Sequence, residues 1–341
     1  MTGSVAAVVP SLPSPPPSRR LGRSRVFVTE LAFGGAAIGG MHTEVSEDDA
    51  RAAIDAAWDG GIRTFDTAPH YGLGLSERRL GDALRSRPRD EYVVSTKVGR
   101  LLEPAPPGPD GSVGPDTEGG FAVPARYVRR FDFSADGVRR SLAESLDRLG
   151  LDRVDLVLIH DPDDHGEQAF REAYPALERL RAEGAVRAIG VGMNQSAMLT
   201  RFVTDTDVDM VLVAGRYTLL DRSAGRELLP AALDRGVSVI VGGVFNSGVL
   251  AAPVAGATYD YHAAPRELID RASRLAEACA RYGVPLRAAA ARFPLTHPAV
   301  ASVLIGVRSA DEVADALRLR ALDIPAALWD SLATADEKGR P

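Results

Sequence analysis

The chain has 341 residues, 45% of them apolar and 25% charged, with a formal charge of −6. That composition supports a sizeable core and excludes wholesale disorder. The acidic balance argues against nucleic acid and anionic lipid as partners, no stretch approaches the ~18 apolar residues of a membrane helix, and the lone cysteine, Cys279, excludes an internal disulfide, a CxxC pair and a multi-Cys zinc site.

In chain order, residues 1–18 are rich in Pro and Ser and are expected to form a disordered tail. The mildly apolar run 4–9 precedes Arg19, Arg20, Arg23 and Arg25, which reverses the order of a signal peptide, so a cytoplasmic setting is expected. Residues 19–335 then alternate short β-rich runs with longer amphipathic ones. The strand candidates are 30–34, 63–65, 92–97, 154–160, 185–191, 210–213, 237–241 and 302–305. The helical windows are 46–59, 76–85, 134–149, 167–183, 195–204, 225–235, 265–282 and 310–319. Several of them end in Gly: Gly60 and Gly61, Gly150, Gly184, Gly236 and Gly283.

Eight alternations predict a single (β/α)8 TIM barrel, and runs such as Leu156–Ile159 have the continuous apolar character of parallel strands covered on both faces. The rival is a doubly wound dinucleotide fold. Its nearest fingerprint, Gly72, Gly74 and then Glu77, lacks the third glycine that lets helix and strand approach, and is rejected. Segment 101–130, rich in Pro and Gly, follows strand 3 and is expected to be a mobile flap over the barrel mouth.

Chemistry in such a barrel sits at the C-terminal strand ends. Asp66 follows strand 2, Lys97 ends strand 3, His160 ends strand 4, and Tyr71 lies five residues after Asp66. Singly, each has an ordinary role as cap, packing residue or satisfied core group; together they form an acid/base set. Lys97 stands out, because Lys338 is the only other lysine in an arginine-rich chain. An ammonium lowers a phenol's pKa, a carboxylate holds the ammonium, and a neutral His orients an oxygen, which suits carbonyl–alcohol interconversion. Such chemistry needs a hydride carrier that side chains cannot supply.

At these residues the sequence resembles the aldo-keto reductase superfamily. The stretch from Gly61 through Asp66 to Gly72, with Ser76 and Glu77, is similar to that family's first signature. Val94–Gly99, Asp155–His160 and Ile189–Gly192 are similar to the next three. The resemblance implies Tyr71 as proton donor/acceptor, Asp66 and Lys97 as its tuning groups, His160 as substrate orienter, and NADP or NAD as hydride carrier. It also implies Asn194 on the nicotinamide amide, with Gly306, Arg308, Ser309 and Glu312 around the adenosine phosphate where strand 8 turns into helix 8. Phe131–Ser134, His160–Asp164 and Gly243–Leu250 look like a sugar-oxidising branch of aldose (L-fucose, D-arabinose) and pyridoxal dehydrogenases, which turn cyclic hemiacetals into lactones.

Two departures stand out. Gly242 sits where many members stack an aromatic ring on the nicotinamide, leaving Tyr217 and Phe245 as candidates, and Ala214 replaces a common Gln. The alternatives are an aldehyde or ketone reductase of a specialised pathway and a non-catalytic cofactor-binding barrel subunit. The expected partner is a small molecule, sugar or other carbonyl compound. No metal site is expected, because His42, His165, His262 and His297 lack ligand spacing.

Overall fold

The computed structural model describes residues 14–106, 112–260 and 262–337. Eight parallel strands close into one barrel: β1 (Leu31–Gly34), β2 (Thr64–Asp66), β3 (Val93–Val98), β4 (Leu156–His160), β5 (Ala188–Met193), β6 (Met210–Ala214), β7 (Ser238–Gly242) and β8 (Val300–Gly306), with β8 paired back onto β1. Around it run α1 (Glu47–Asp59), α2 (Leu75–Leu84), α3 (Ala135–Leu149), α4 (Tyr174–Ala182), α5 (Ser196–Asp205), α6 (Leu228–Arg235), α7 (Leu286–Arg292) and α8 (Ala310–Ala321). Ser46, Ser134 and Ser309 cap α1, α3 and α8, each accepting from a backbone N–H three residues on.

Strand residues alternate between two cores. Outward residues such as Phe65, Val94, Val157, Ile189 and Val211 pack under the helices. Inward ones (Leu156, Leu158, Met210, Leu212 and Ile240) fill the barrel. An antiparallel hairpin of Ser18–Arg20 and Phe27–Thr29 plugs the N-terminal end, burying Leu21, Val26 and Val28 against those inward residues. The last residues of the expected tail are tied down: Glu30 N–H donates to the Pro17 carbonyl, and Ser18 opens the hairpin. Residues 1–13 and Lys338 lie outside the described residues.

Two helical expectations are corrected. The helix foreseen over 265–282 exists as Arg266–Ala280, but it packs on Ala326–Glu337 in a satellite cluster outside the ring. The helix between β7 and β8 is α7, whose four consecutive alanines, Ala288–Ala291, lack the polar contrast of an amphipathic window. The window 167–183 is broken by a π segment, Ala169–Ala173, before α4, where Pro175 has no N–H for a regular turn. The described part of the expected flap, 101–130, forms two antiparallel ribbons: Arg100–Pro104 with Tyr127–Phe131, and Pro115–Asp116 with Phe121–Pro124. Residues 107–111 lie outside the described residues.

Candidate active site

Adjacent parallel strands deliver Asp66, Lys97 and His160 to one rim, because β2, β3 and β4 are consecutive neighbours in the barrel. Tyr71 joins them from the β2–α2 turn. Gly72 there has φ +60°, and a Cβ would run into the Gly39 carbonyl, so the turn closes tightly over the β1 loop. Gly72, Leu73 and Gly74 all have positive φ, which makes this stretch a turn into α2.

Lys97, 1% exposed, donates from Nζ to Asp66 Oδ2 at 2.6 Å, the Thr67 carbonyl at 3.0 Å and the Tyr71 phenol oxygen at 3.0 Å. Its three ammonium protons are thereby used. The Tyr71 oxygen accepts from Lys97, so its own proton is free to point into the mouth. Ser95 Oγ donates to Asp66 Oδ1 at 2.6 Å and completes that carboxylate's shell. The family-like Ser76 and Glu77 sit behind this layer. Ser76 Oγ bonds Thr67 Oγ1 at 2.8 Å, and buried Glu77 accepts from Thr96 Oγ1 at 2.7 Å and from Arg148 of α3. They hold the backbone that carries Asp66 and Lys97.

The charges are strongly perturbed. Burial pulls the Lys97 ammonium toward deprotonation, but Asp66 and Tyr71 outweigh it and its pKa rises. Burial pushes the Tyr71 phenol up to about 12, against the downward pull of Lys97. The lowering expected from Lys97 alone is therefore corrected: without a further positive group, desolvation of the phenolate wins and the resting phenol stays protonated. Burial, with Arg100 and Lys97 nearby, drives the His160 pKa well below its ordinary value, so the ring is neutral.

Five further side chains, absent from the expected set, gather here around the neighbouring His70. Arg100 pairs with Asp161 at 2.5 Å, and the Asp161 carboxylate lies 3.5 Å from His160 Nε2. Arg129 makes a two-pronged pair with Asp116, both side chains 4% exposed, and donates from Nε to His70 Nδ1 at 2.5 Å. Phe121 lies edge-on to His70 at 5.2 Å between ring centroids and beside Tyr71 at 6.2 Å. Asp161 immediately follows His160 and was findable, as was Arg100, three residues after Lys97; Asp116, Phe121 and Arg129 come from the insertion, where no local pattern announces a contact 59 residues away.

The remaining predicted residues lie on the same rim. Asn194, half-buried directly after β5, has no hydrogen-bond partner for its side chain among the described residues. Gly306 ends β8, Ser309 caps α8, and Arg308 is held by Glu312 through both its backbone N–H, at 2.8 Å, and its guanidinium, at 3.0 Å. Between these ends, β7, β8 and β1 finish in Gly242, Gly306 and Gly34. A Cβ on Gly242 or Gly306 would make only ordinary contacts, so a side chain there would fill open groove. A glycine floor from the α8 N-terminus to the free carboxamide of Asn194 fits an extended dinucleotide. Of the two candidate stacking rings, Tyr217 is buried against Phe293 and His297, and Phe245 packs between the main and satellite cores.

Comparison with known proteins agrees with this geometry. The model of the Aldo/keto reductase family matches residues 30–337. The chain is 48% identical over 311 residues to a D-threo-aldose 1-dehydrogenase of a Pseudomonas species, covering 90% of this chain and 94% of that one. It is 41% identical over 331 residues to a pyridoxal 4-dehydrogenase of Microbacterium luteolum, covering 92% and 96%. Among solved structures, an aldo-keto reductase of Bacillus halodurans superposes with a TM-score of 0.73 at 27% identity, covering 93% and 95%. Family membership makes this barrel an NAD(P)-dependent oxidoreductase, and the chain belongs to the aldo/keto reductase family.

Proposed function

We propose that this enzyme oxidises the anomeric hydroxyl of a cyclic aldose to a lactone, in a reducing, cytoplasmic setting suited to the free, buried thiol of Cys279. The observation that carries the reading is the buried chain Asp66–Lys97–Tyr71 beside a neutral His160. The 48% and 41% relatives, named for an aldose and for pyridoxal, support a hemiacetal substrate, which both compounds can present. NAD(P), when bound, would supply the acceptor for the hydride of C1. Asn194 would hold its amide, and the Gly306–Glu312 turn its adenosine end.

Tyr71 exchanges the hydroxyl proton. In the oxidative direction its own proton passes first to solvent at the mouth, Lys97 stabilises the phenolate at 3.0 Å, and the phenolate then takes the proton of the anomeric hydroxyl. Asp66 keeps Lys97 charged and fixed. His160, neutral, orients the reacting oxygen without adding a positive charge that would oppose departure of hydride from the carbon. In reverse, the resting phenol donates to a carbonyl oxygen, which is the second reading: reduction of an aldehyde or ketone. The resting Tyr71, held protonated by burial, is the form that donates in that direction.

The test is growth of NAD(P)H absorbance with L-fucose, D-arabinose, L-galactose and pyridoxal, each with NAD+ and NADP+. Oxidation of at least one sugar supports the reading; silence on all sugars with turnover of simple aldehydes and NAD(P)H supports the reductase instead. Tyr71→Phe should abolish turnover while NADH still quenches protein fluorescence, because it removes the proton-transfer group and little contact area. A variant that kept most of its kcat would sink the role of Tyr71.

A further inference from the structure

His70 precedes Tyr71 and is not part of the acid/base set. Its ring forms a nearly equilateral triangle with the other two rings of the mouth: 6.1 Å to Tyr71, 5.7 Å to His160, and 5.8 Å between those two. With Tyr71 and His160 framing the reacting oxygen in the mechanism proposed above, the third corner lies where a group on the neighbouring carbon would sit. Arg129 settles how His70 presents itself. An arginine only donates, so the 2.5 Å bond from Arg129 Nε makes His70 Nδ1 an acceptor. The ring is then neutral with its proton on Nε2. Arg129 Nη2 also donates to the His70 carbonyl at 3.1 Å, and Asp116 clamps the guanidinium through both carboxylate oxygens. Burying this ion pair costs desolvation that packing alone does not require. Arg129 and Asp116 belong to the insertion, so the ribbon that covers the mouth also sets the tautomer at its floor. No described group engages Nε2.

We propose that His70 is a specificity-determining residue whose Nε2–H donates to the oxygen on the carbon next to the reacting one, so that the site selects 2-hydroxy substrates, with Arg129 and Asp116 as positioning residues. The strong downward shift of the His70 pKa, to about 2 through burial and the nearby Arg100, Arg129 and Lys97, keeps this donor neutral across the working range. The inference rests on the oxidoreductase site described above, and names the feature of its substrate that the site reads.

D-Arabinose and 2-deoxy-D-ribose differ only in the oxygen at C2 and form the test pair. The readout is the ratio of their kcat/KM values, not absolute activity. The wild type should prefer D-arabinose. His70→Asn keeps an acceptor for Arg129 near the Nδ1 position but has no donor at Nε2, and should collapse the ratio about tenfold, the worth of one hydrogen bond. His70→Gln places an amide N–H near Nε2 and should keep the ratio within about threefold, even where overall activity falls. A wild type that treats the pair alike overturns the proposal without any variant. A ratio unchanged in His70→Asn overturns it too and leaves His70 a packing residue. Reduction of 2-hydroxypropanal against propanal is run in parallel: silence on sugars with a live aldehyde pair overturns the aldose reading, while the aldehyde ratio still decides the role of His70. A protein that turns over neither pair overturns both.

Discussion

Lys97 is the residue on which the site's electrostatics turn. It is buried, and all its donors are committed to Asp66, Thr67 and Tyr71. Lys97→Met removes the group that stabilises the phenolate and strands the Asp66 carboxylate. We expect kcat to fall by roughly 10²-fold or more, and stability at neutral pH by about 3–5 kcal/mol. Denaturant melts of the variant and the wild type at pH 7 check the second part. At the far end of the groove, Glu312 already engages Arg308 twice, so a 2′-phosphate would have to displace a carboxylate before meeting that arginine. NAD should therefore be used ahead of NADP. Glu312→Gln should move the NADP/NAD ratio of kcat/KM up by about tenfold, the worth of removing one like charge near a phosphate. An unchanged ratio would place the discrimination elsewhere.

The elements that position Tyr71 are α2 and the turn before it, and their seating is exacting. Gly81, on α2, faces the Leu149 backbone at the end of α3, and a Cβ would run into that carbonyl oxygen. Gly81→Ala should cost about 1–3 kcal/mol by overpacking, read from a shift in the denaturation midpoint at constant m-value. Ser134→Ala, which deletes the α3 cap on Gly137 N–H, should cost about 1 kcal/mol and leave the site untouched. All eight barrel strands were visible in the sequence because each is a short apolar run between amphipathic windows, several of them ended by Gly. α7 was not, since an alanine run carries no periodicity. Nor was the N-terminal plug: Leu21, Val26 and Val28 are separated by arginines and a turn, and only the open end of a barrel gives them something to cover.

Over the whole molecule, two neutral histidines at the mouth tie stability to pH. Both His70 and His160 have pKa values depressed by burial, His70 to about 2 and His160 well below the usual 6.5. Between those values and about pH 6.5 the unfolded chain binds protons that the folded one does not. Their contribution is therefore fully present above about pH 6.5 and is lost as pH falls, at roughly 1 kcal/mol per ring per pH unit. Between pH 8 and pH 5 the wild-type Tm should fall further than that of the double variant His70→Asn/His160→Asn. Parallel slopes for the two proteins would mean that these rings titrate freely.

From the sequence alone came the barrel, the order of its strands, the Asp66, Tyr71, Lys97 and His160 set, and the α8 turn. All of these follow from rules that act within a short window or at the end of a strand: periodicity, caps, and the C-terminal location of function in parallel sheets. Tertiary structure alone decided the rest. The net protonation of Tyr71 is a contest between burial and one nearby cation. The His70 tautomer depends on an arginine 59 residues away on a ribbon that folds back over the mouth. Gly242 is a departure in sequence but part of a groove floor in space, because β7, β8 and β1 are neighbours only once the barrel closes. Contacts between distant segments depend on which surfaces packing brings together, and no local pattern of residue types carries that information.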